Sequence, residues 1–358
     1  MDHAFGTSDG FTVGIEEELL LVDPGSHALA QASAEVLERL EVDRSAARHD
    51  IYAAQIELSS PPSRTVGDAA AVLAALRRRV HEVGGGLMGS GLHPDADFGD
   101  VEVVEAERYR REKDRLGGVL LRTPDCALHV HVAMPSFEVA IRAFNGVREW
   151  LPLLHALAAN SPFWHGQDAR LASARTVLRR GFPRVELPPA FQGEDDWRRA
   201  VDELCRAAEV EDYTFIWWDV RPHPKLGTLE IRVMDAQAPL WRAEALSAVA
   251  HGLAMHEAEA PPREYASRDV LSESLYRATR NGIHTTLWSD GALRPVEELA
   301  RRATELARPR LRELGDDRAL DGVERILADG SGADVQRAWH AEGGMPHLLA
   351  QLADATRG

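Results

Sequence analysis

Four short segments of this sequence set polar residues two positions apart, most of them ionisable. Glu16 and Glu18 stand in "GIEEELLLVDP", and Glu57 follows Gln55 in "AAQIELSSPP". His129 and His131 alternate in "CALHVHVAMP", as do Glu230 and Arg232 in "GTLEIRVMD". A step of two is the period of a β-strand, which sends successive side chains to opposite faces. Each segment then separates cleanly. Gly14, Glu16 and Glu18 oppose Val13, Ile15, Leu19 and Leu21; Gln55, Glu57 and Ser59 oppose Ile56 and Leu58. His129 and His131 oppose Leu128, Val130, Val132 and Met134; Thr228, Glu230 and Arg232 oppose Leu229, Ile231 and Val233. The same division in all four implies a sheet with one apolar face under helices and one polar face.

An outward, solvated face would also alternate, but it would mix Thr, Ser, Lys and Arg. This one is glutamate and histidine with one arginine. Carboxylates on adjacent strands repel one another unless cations lie between them. That density of oxygen donors suits hard divalent cations such as Mg²⁺, and a histidine in the set suits Mn²⁺. Zinc is the competitor, but neither HExxH nor CxxC occurs in the chain. Glu17 falls on the apolar side, where a charge is costly unless paired or near the sheet margin. The expectation is that Glu17→Leu is tolerated, whereas Glu16→Gln or Glu18→Gln destroys activity.

Other signals are weaker. "GGGLMG" (84–89) fits GxGxxG formally, but it follows a helix and precedes a strand, the reverse of a dinucleotide site. There is no GxxxxGK[ST] loop, so any ATP would bind without a Walker motif. Cys126 heads an apolar strand and reads as core. One of Trp217 and Trp218 reads as core by alternation. His223, in a proline-flanked turn, reads as surface, and His340 and His347 have no cluster around them. The loop "NSPFWHGQDARLASAR" (160–175) places Arg170 and Arg175 around Ser173 and suits a lid over phosphates or a carboxylate. Arg221, after "WWDV", has the same standing.

Strands are expected at 11–22, in "AAQIELSSPP", in "LMGSGLHP", in "CALHVHVAMP", and in "TFIWWDV" and "GTLEIRVMD" joined through "RPHPKLG". Helical spacing is expected in "ASAEVLERL", at 66–83, at 102–116, from Ser136 toward Asn160, and at 194–208. From Leu240 onward almost everything reads as helix. Strands scattered among helices without regular alternation favour α+β with a mainly antiparallel sheet. Residues 1–358 are read as one catalytic domain, with 240–358 as a helical layer on the sheet.

Composition narrows the partners. The formal charge is 41 − 57 = −16, which argues against nucleic acid or an anionic membrane. Two cysteines make no disulfide framework, and a reducing cytosol is the default expectation. No run approaches the roughly 18 apolar residues of a spanning helix.

Together, "GIEEELLLVDP", "HDIYAAQIELSSPP", "CALHVHVAM", "NSPFWHGQDARLASAR" and "WDVRPHPKLGTLEIRVMD" resemble the bacterial glutamate–cysteine ligase type 2 group, the carboxylate–amine ligases. The resemblance implies a glutamine-synthetase-like fold whose antiparallel sheet floors the active site. It implies ATP-dependent joining of the γ-carboxylate of glutamate to the amine of cysteine through an acyl phosphate. By likeness, the metal ligands fall at Glu16, Glu18, Asp50, Glu57, His129 and Glu230, with Mg²⁺ or Mn²⁺ as the ion. Asp50 is carried by the resemblance alone. Arg232 would clamp the moving phosphoryl beside Glu230, and Arg170, Ser173, Arg175 and Arg221 would meet phosphate or substrate carboxylate. A homodimer is expected by the same analogy. A different acid or amine, a metal-dependent hydrolase using the His/Glu face, and a non-catalytic nucleotide binder remain alternatives.

Overall fold

The computed structural model describes residues 2–8 and 10–357. Its strands and helices run in the order β1 (Val13–Val22), α1 (Ser33–Leu40), β2 (Ala47–His49), β3 (Gln55–Ser59), α2 (Val66–Glu82), β4 (Gly86–Met88) and α3 (Glu107–Leu116). There follow β5 (Ala127–Ala133), α4 (Phe137–Ala158), β6 (Phe163–Trp164), β7 (Gln167–Asp168), α5 (Ala174–Arg179), α6 (Glu194–Ala208), β8 (Val220–His223) and β9 (Thr228–Asp235). The C-terminal third adds α7 (Leu240–Glu259), α8 (Arg268–Asn281), β10 (Thr286–Ser289), β11 (Ala292–Pro295), α9 (Val296–Leu314), α10 (Asp321–Asp329) and α11 (Gly332–Arg357).

Seven strands form one antiparallel sheet in the order β2-β3-β1-β5-β9-β8, with β4 paired to the far end of β1. This is an α+β architecture, as the scattered strands imply. The odd positions of β1 and the alternating apolar residues of β3, β5 and β9 enter one buried cluster with α4, α7 and α9. Ile15, Ile56, Val130 and Ile231 meet Leu154, Leu246 and Ala300 there. α4 starts where Ser136 accepts a hydrogen bond from the Val139 N–H, an N-cap that satisfies an otherwise orphaned donor.

The polar face is not polar along its whole length. Beyond Glu18, Leu20 and Val22 continue the same side of β1 and are buried with Met88, Cys126 and three leucines of α11. That cover confines the open part of the face to its central and outer strands. α3 crosses above the opening. Tyr109 donates to the His49 carbonyl at the β2 edge, and Arg115 and Arg111 reach Glu209 and Glu211 on the segment leading to β8.

Three expectations need correction. "TFIWWDV" is not a strand: residues 213–215 form a short 3₁₀ turn and pairing begins only at Val220. The carbonyls of Tyr213, Thr214 and Ile216 are taken by the Arg221 guanidinium, not by a neighbouring strand. Of "LMGSGLHP" only Leu87 and Met88 are strand, as the end of Gly86–Met88. The C-terminal third also holds a hairpin, β10–β11, turned by Asp290 and Gly291, both at positive φ. That pair is what a two-residue hairpin turn requires. Among the described residues, no helix is long and apolar enough to cross a membrane.

Candidate active site

The register carries the polar positions across the sheet in one continuous row. Arg48 lies opposite Glu57, Glu57 opposite Glu18, Glu16 opposite His129, His131 opposite Glu230, and Glu230 opposite Arg221. Directly opposed residues share a face. A register shift between β5 and β9 falls between Leu128 and Val130, beside His129. The row floors a cleft of about 400 Å³, whose lining includes Asp50, Asp125, Arg179 and Arg232.

His129 is buried between two carboxylates: Nδ1 lies 3.6 Å from Glu16 and Nε2 lies 3.6 Å from Glu18. Neither ring nitrogen has a hydrogen-bond partner among the described residues. His131 Nε2 is 3.5 Å from Glu16 and 3.9 Å from Glu230. Glu230 is gripped from two sides, by Arg221 (Nε to Oε2, 2.5 Å) and by Arg232. Arg48 bridges Glu16, at 3.2 Å, and Glu57. The Ala127 N–H donates to Glu18 at 2.7 Å.

These surroundings split the carboxylates into two kinds. Burial opposes ionisation of Glu230, but Arg221 and Arg232 outweigh it and hold the carboxyl well below its usual range. Burial likewise opposes ionisation of Glu16, and His131, His129 and Arg48 overcome it. Glu18 is pushed up to about 8, by burial first and then by Asp50. Glu57 is pushed well up by burial and by Glu16, and Asp50 by burial and Asp125. The His129 imidazole is forced down to about 3 by burial and by Arg232, so it is neutral and able to offer a lone pair. Glu18 thus holds a proton near neutral pH that a divalent cation would displace, and burial makes Glu57 and Asp50 easier to protonate than ordinary carboxylates.

Among the described residues, no three His, Cys, Asp or Glu side chains already close into a metal cage. Arg48 and Arg232 stand between the carboxylates instead. The donor set still suits a hard divalent ion: several buried carboxylates, and one neutral histidine with both nitrogens unpartnered.

The structure brings Glu16, Glu18, Asp50, Glu57, His129, Arg221, Glu230 and Arg232 to one cleft. It does not bring the 160–175 loop residues there. Arg170 is exposed, at positive φ, and does not line the cleft. Ser173 caps α5 and donates to the buried Asp235 at 3.0 Å. Arg175 is buried against Asp235, 3.3 Å away, with Nε 3.9 Å from Asp125, and does not itself line the cleft. Arg179, one helical turn after Arg175 and just beyond that loop, does reach the cleft, paired with Asp125 at 2.9 Å. Its signal was the i, i+4 spacing on α5. Arg48 and His131 were also legible by alternation, one beside "HDIY" and one two residues after His129.

Glu17 is buried, and Arg77 of α2 binds it through two nitrogens, at 3.0 and 2.6 Å. Arg77 also donates to the carbonyls of Gln237, Ala238 and Thr356. The expectation that Glu17→Leu is tolerated is therefore overturned. It would strand a buried guanidinium.

The sequence matches glutamate–cysteine ligase family 2 over residues 12–347. The chain belongs to that family. A Rubrobacter xylanophilus protein provisionally named glutamate–cysteine ligase 2-1 is 38% identical over 98% of this chain and 96% of its own length. A second from the same organism, provisionally named 2-3, is 40% identical over 99% and 100%. Among solved structures, a glutamate–cysteine ligase from Francisella tularensis in complex with AMP superposes with a TM-score of 0.73, at 13% identity, over 100% of this chain and 89% of its own. A bifunctional glutathione synthetase from Pasteurella multocida gives a TM-score of 0.68 at 17% identity, over 97% of this chain. This chain spans about half, 52%, of that structure's length. These likenesses fix the fold as glutamine-synthetase-like.

Proposed function

We propose that the protein is an ATP-dependent carboxylate–amine ligase, joining the γ-carboxylate of L-glutamate to the amine of L-cysteine. The observation that carries the reading is the register-locked row of carboxylates, histidines and arginines, in a chain that belongs to this family. The whole chain is read as one catalytic unit, with 240–358 as its helical layer.

A free carboxylate is a poor acyl donor, because oxide would have to leave. In the proposed reaction a carboxylate oxygen attacks the γ-phosphorus of ATP and ADP departs. The amine then attacks the acyl carbon, phosphate leaves, and the amine nitrogen loses a proton. Glu16, Glu18, Asp50, Glu57, His129 and Glu230 would hold Mg²⁺ or Mn²⁺, which neutralises phosphate charge. Arg232 meets the charge of the transferring phosphoryl group, and Arg221 fixes Glu230 from the far side. The buried floor keeps competing water from the activated acyl group.

ADP release is measured with Mg²⁺, glutamate and a panel of amines. A ligase releases ADP only when acid and amine are both present. Amide cleavage without nucleotide would instead mark a hydrolase. Stabilisation by ATP–Mg²⁺ with no turnover would mark a binder. Full turnover with a different amine would move the substrate but keep the chemistry.

A further inference from the structure

Above the charged floor, the cleft has a second wall of different character. It is lined by Tyr109, Leu116, Leu120, Phe182, Val185 and Trp217. Into the same wall α3 sets one carboxylate, Glu112. The helix reads "ERYRREKDRL". Among its described residues Glu112 alone is buried, with 2% of its surface exposed. A polar helix would ordinarily turn Leu116 or Tyr109 inward and leave its acids in water.

The burial is compensated only in part, by Arg115 and by the nearby charge of Arg184. Glu112 Oε1 meets Arg115 at 3.4 Å, and Arg115 is itself partly exposed. Oε2 accepts no hydrogen bond from any described residue. An ionised carboxylate can only accept, and a buried acceptor without a donor is destabilising. The group that completes Glu112 must therefore bring an N–H or O–H, on a body that fits an apolar and aromatic surface.

We infer that this wall is a binding subsite for a reactant presenting such donors, with Glu112 as their acceptor. The inference rests on the ligase reading, in which two reactants have this chemistry: the nucleoside end of ATP and the ammonium of the amine. α3 is held to His49 at the β2 edge through Tyr109 and to the 209–211 segment through Arg111 and Arg115.

The test compares the full-length chain with Glu112→Gln, Glu112→Met and the exposed control Asp114→Asn. Melting temperature is read without ligand, ATP–Mg²⁺ affinity by calorimetry, and the amine KM by ADP release. The expected result is an unchanged or raised melting temperature in both Glu112 variants. One of the two constants weakens by roughly tenfold or more, the scale of one lost charge-assisted hydrogen bond, while Asp114→Asn matches wild type. Weakened ATP affinity assigns the wall to the nucleoside; a raised amine KM assigns it to the ammonium. Wild-type values for both constants would overturn the inference. So would a lower melting temperature with both constants weakened together, which marks Glu112 as a structural partner of Arg115. Failure of the ligase reading shows in the wild type, as the lack of ADP release that depends on both acid and amine. Failure of this inference shows in the variants alone.

Discussion

Glu16, Glu17 and Glu18 are neighbours in the chain and have three different environments. Glu16 is ionised against two histidines and Arg48, Glu18 is pushed up to about 8 by burial and Asp50, and Glu17 is sealed on the other face with Arg77. Their substitutions should separate accordingly. Glu16→Gln is expected to lower ADP release by at least about 10²-fold, the scale of one lost electrostatic contact to the transition state, with little change in urea midpoint. Glu17→Leu should do the reverse at first order, lowering stability by about 3–5 kcal/mol because Arg77 loses its counter-charge. Pairing it with Arg77→Met should recover only part of that loss, because the Gln237, Ala238 and Thr356 carbonyls then lose their donor. Equal stability of Glu17→Leu and wild type in a urea titration would refute the buried pair. At Glu230 the two arginines and the carboxylate form one unit, so Glu230→Gln is expected to abolish turnover while far-ultraviolet circular dichroism is retained.

At the scale of elements, the strands that floor the site declare themselves because only they combine a two-residue period with ionisable residues. The loop 160–175 illustrates what such patterns omit. Its Ser and Arg residues look free to meet phosphate, yet Asp235, far along the chain, gathers Asn160, Ser161, Ser173 and Arg175 into a buried network. Ser173→Ala should lower stability by about 1 kcal/mol through the lost helix cap, with less than about a twofold change in nucleotide affinity; a large affinity loss at unchanged stability would return Ser173 to the site. Pairing of Glu17 with Arg77 was equally out of reach, since no local period links residues 60 positions apart. "TFIWWDV" misleads for a related reason. Phe215, Ile216 and Trp218 are buried, but the side chain of Arg221, a few residues on, consumes the carbonyls a strand would need. The β10–β11 hairpin, by contrast, was announced by Asp-Gly between short apolar runs, and was hidden only by its helical surroundings.

At the scale of the whole molecule, the helical layer carries its own pH dependence. His251, on α7, donates through Nε2 to the Phe11 carbonyl at 2.7 Å, while Nδ1 has no partner among the described residues. Burial pushes this imidazole down from 6.5 to about 4. The unfolded chain binds the proton first, so His251 stabilises the fold fully above about pH 6.5. That contribution is lost as pH falls toward 4, up to about 3 kcal/mol at roughly 1.4 kcal/mol per unit. His251→Gln, which can keep a donor toward Phe11, should flatten the acid limb of a melting-temperature profile between those values; an unaltered limb would assign it elsewhere. The breadth of the sheet has a further consequence. Its outer strands are β2, of three residues, and β8, of four, the latter containing Pro222. Short, proline-bearing margins give a foreign strand almost nothing to zip onto. The same margins that leave the cleft open to small molecules therefore close the sheet to growth by self-association, so a wide polar floor is kept without becoming a seed for fibres.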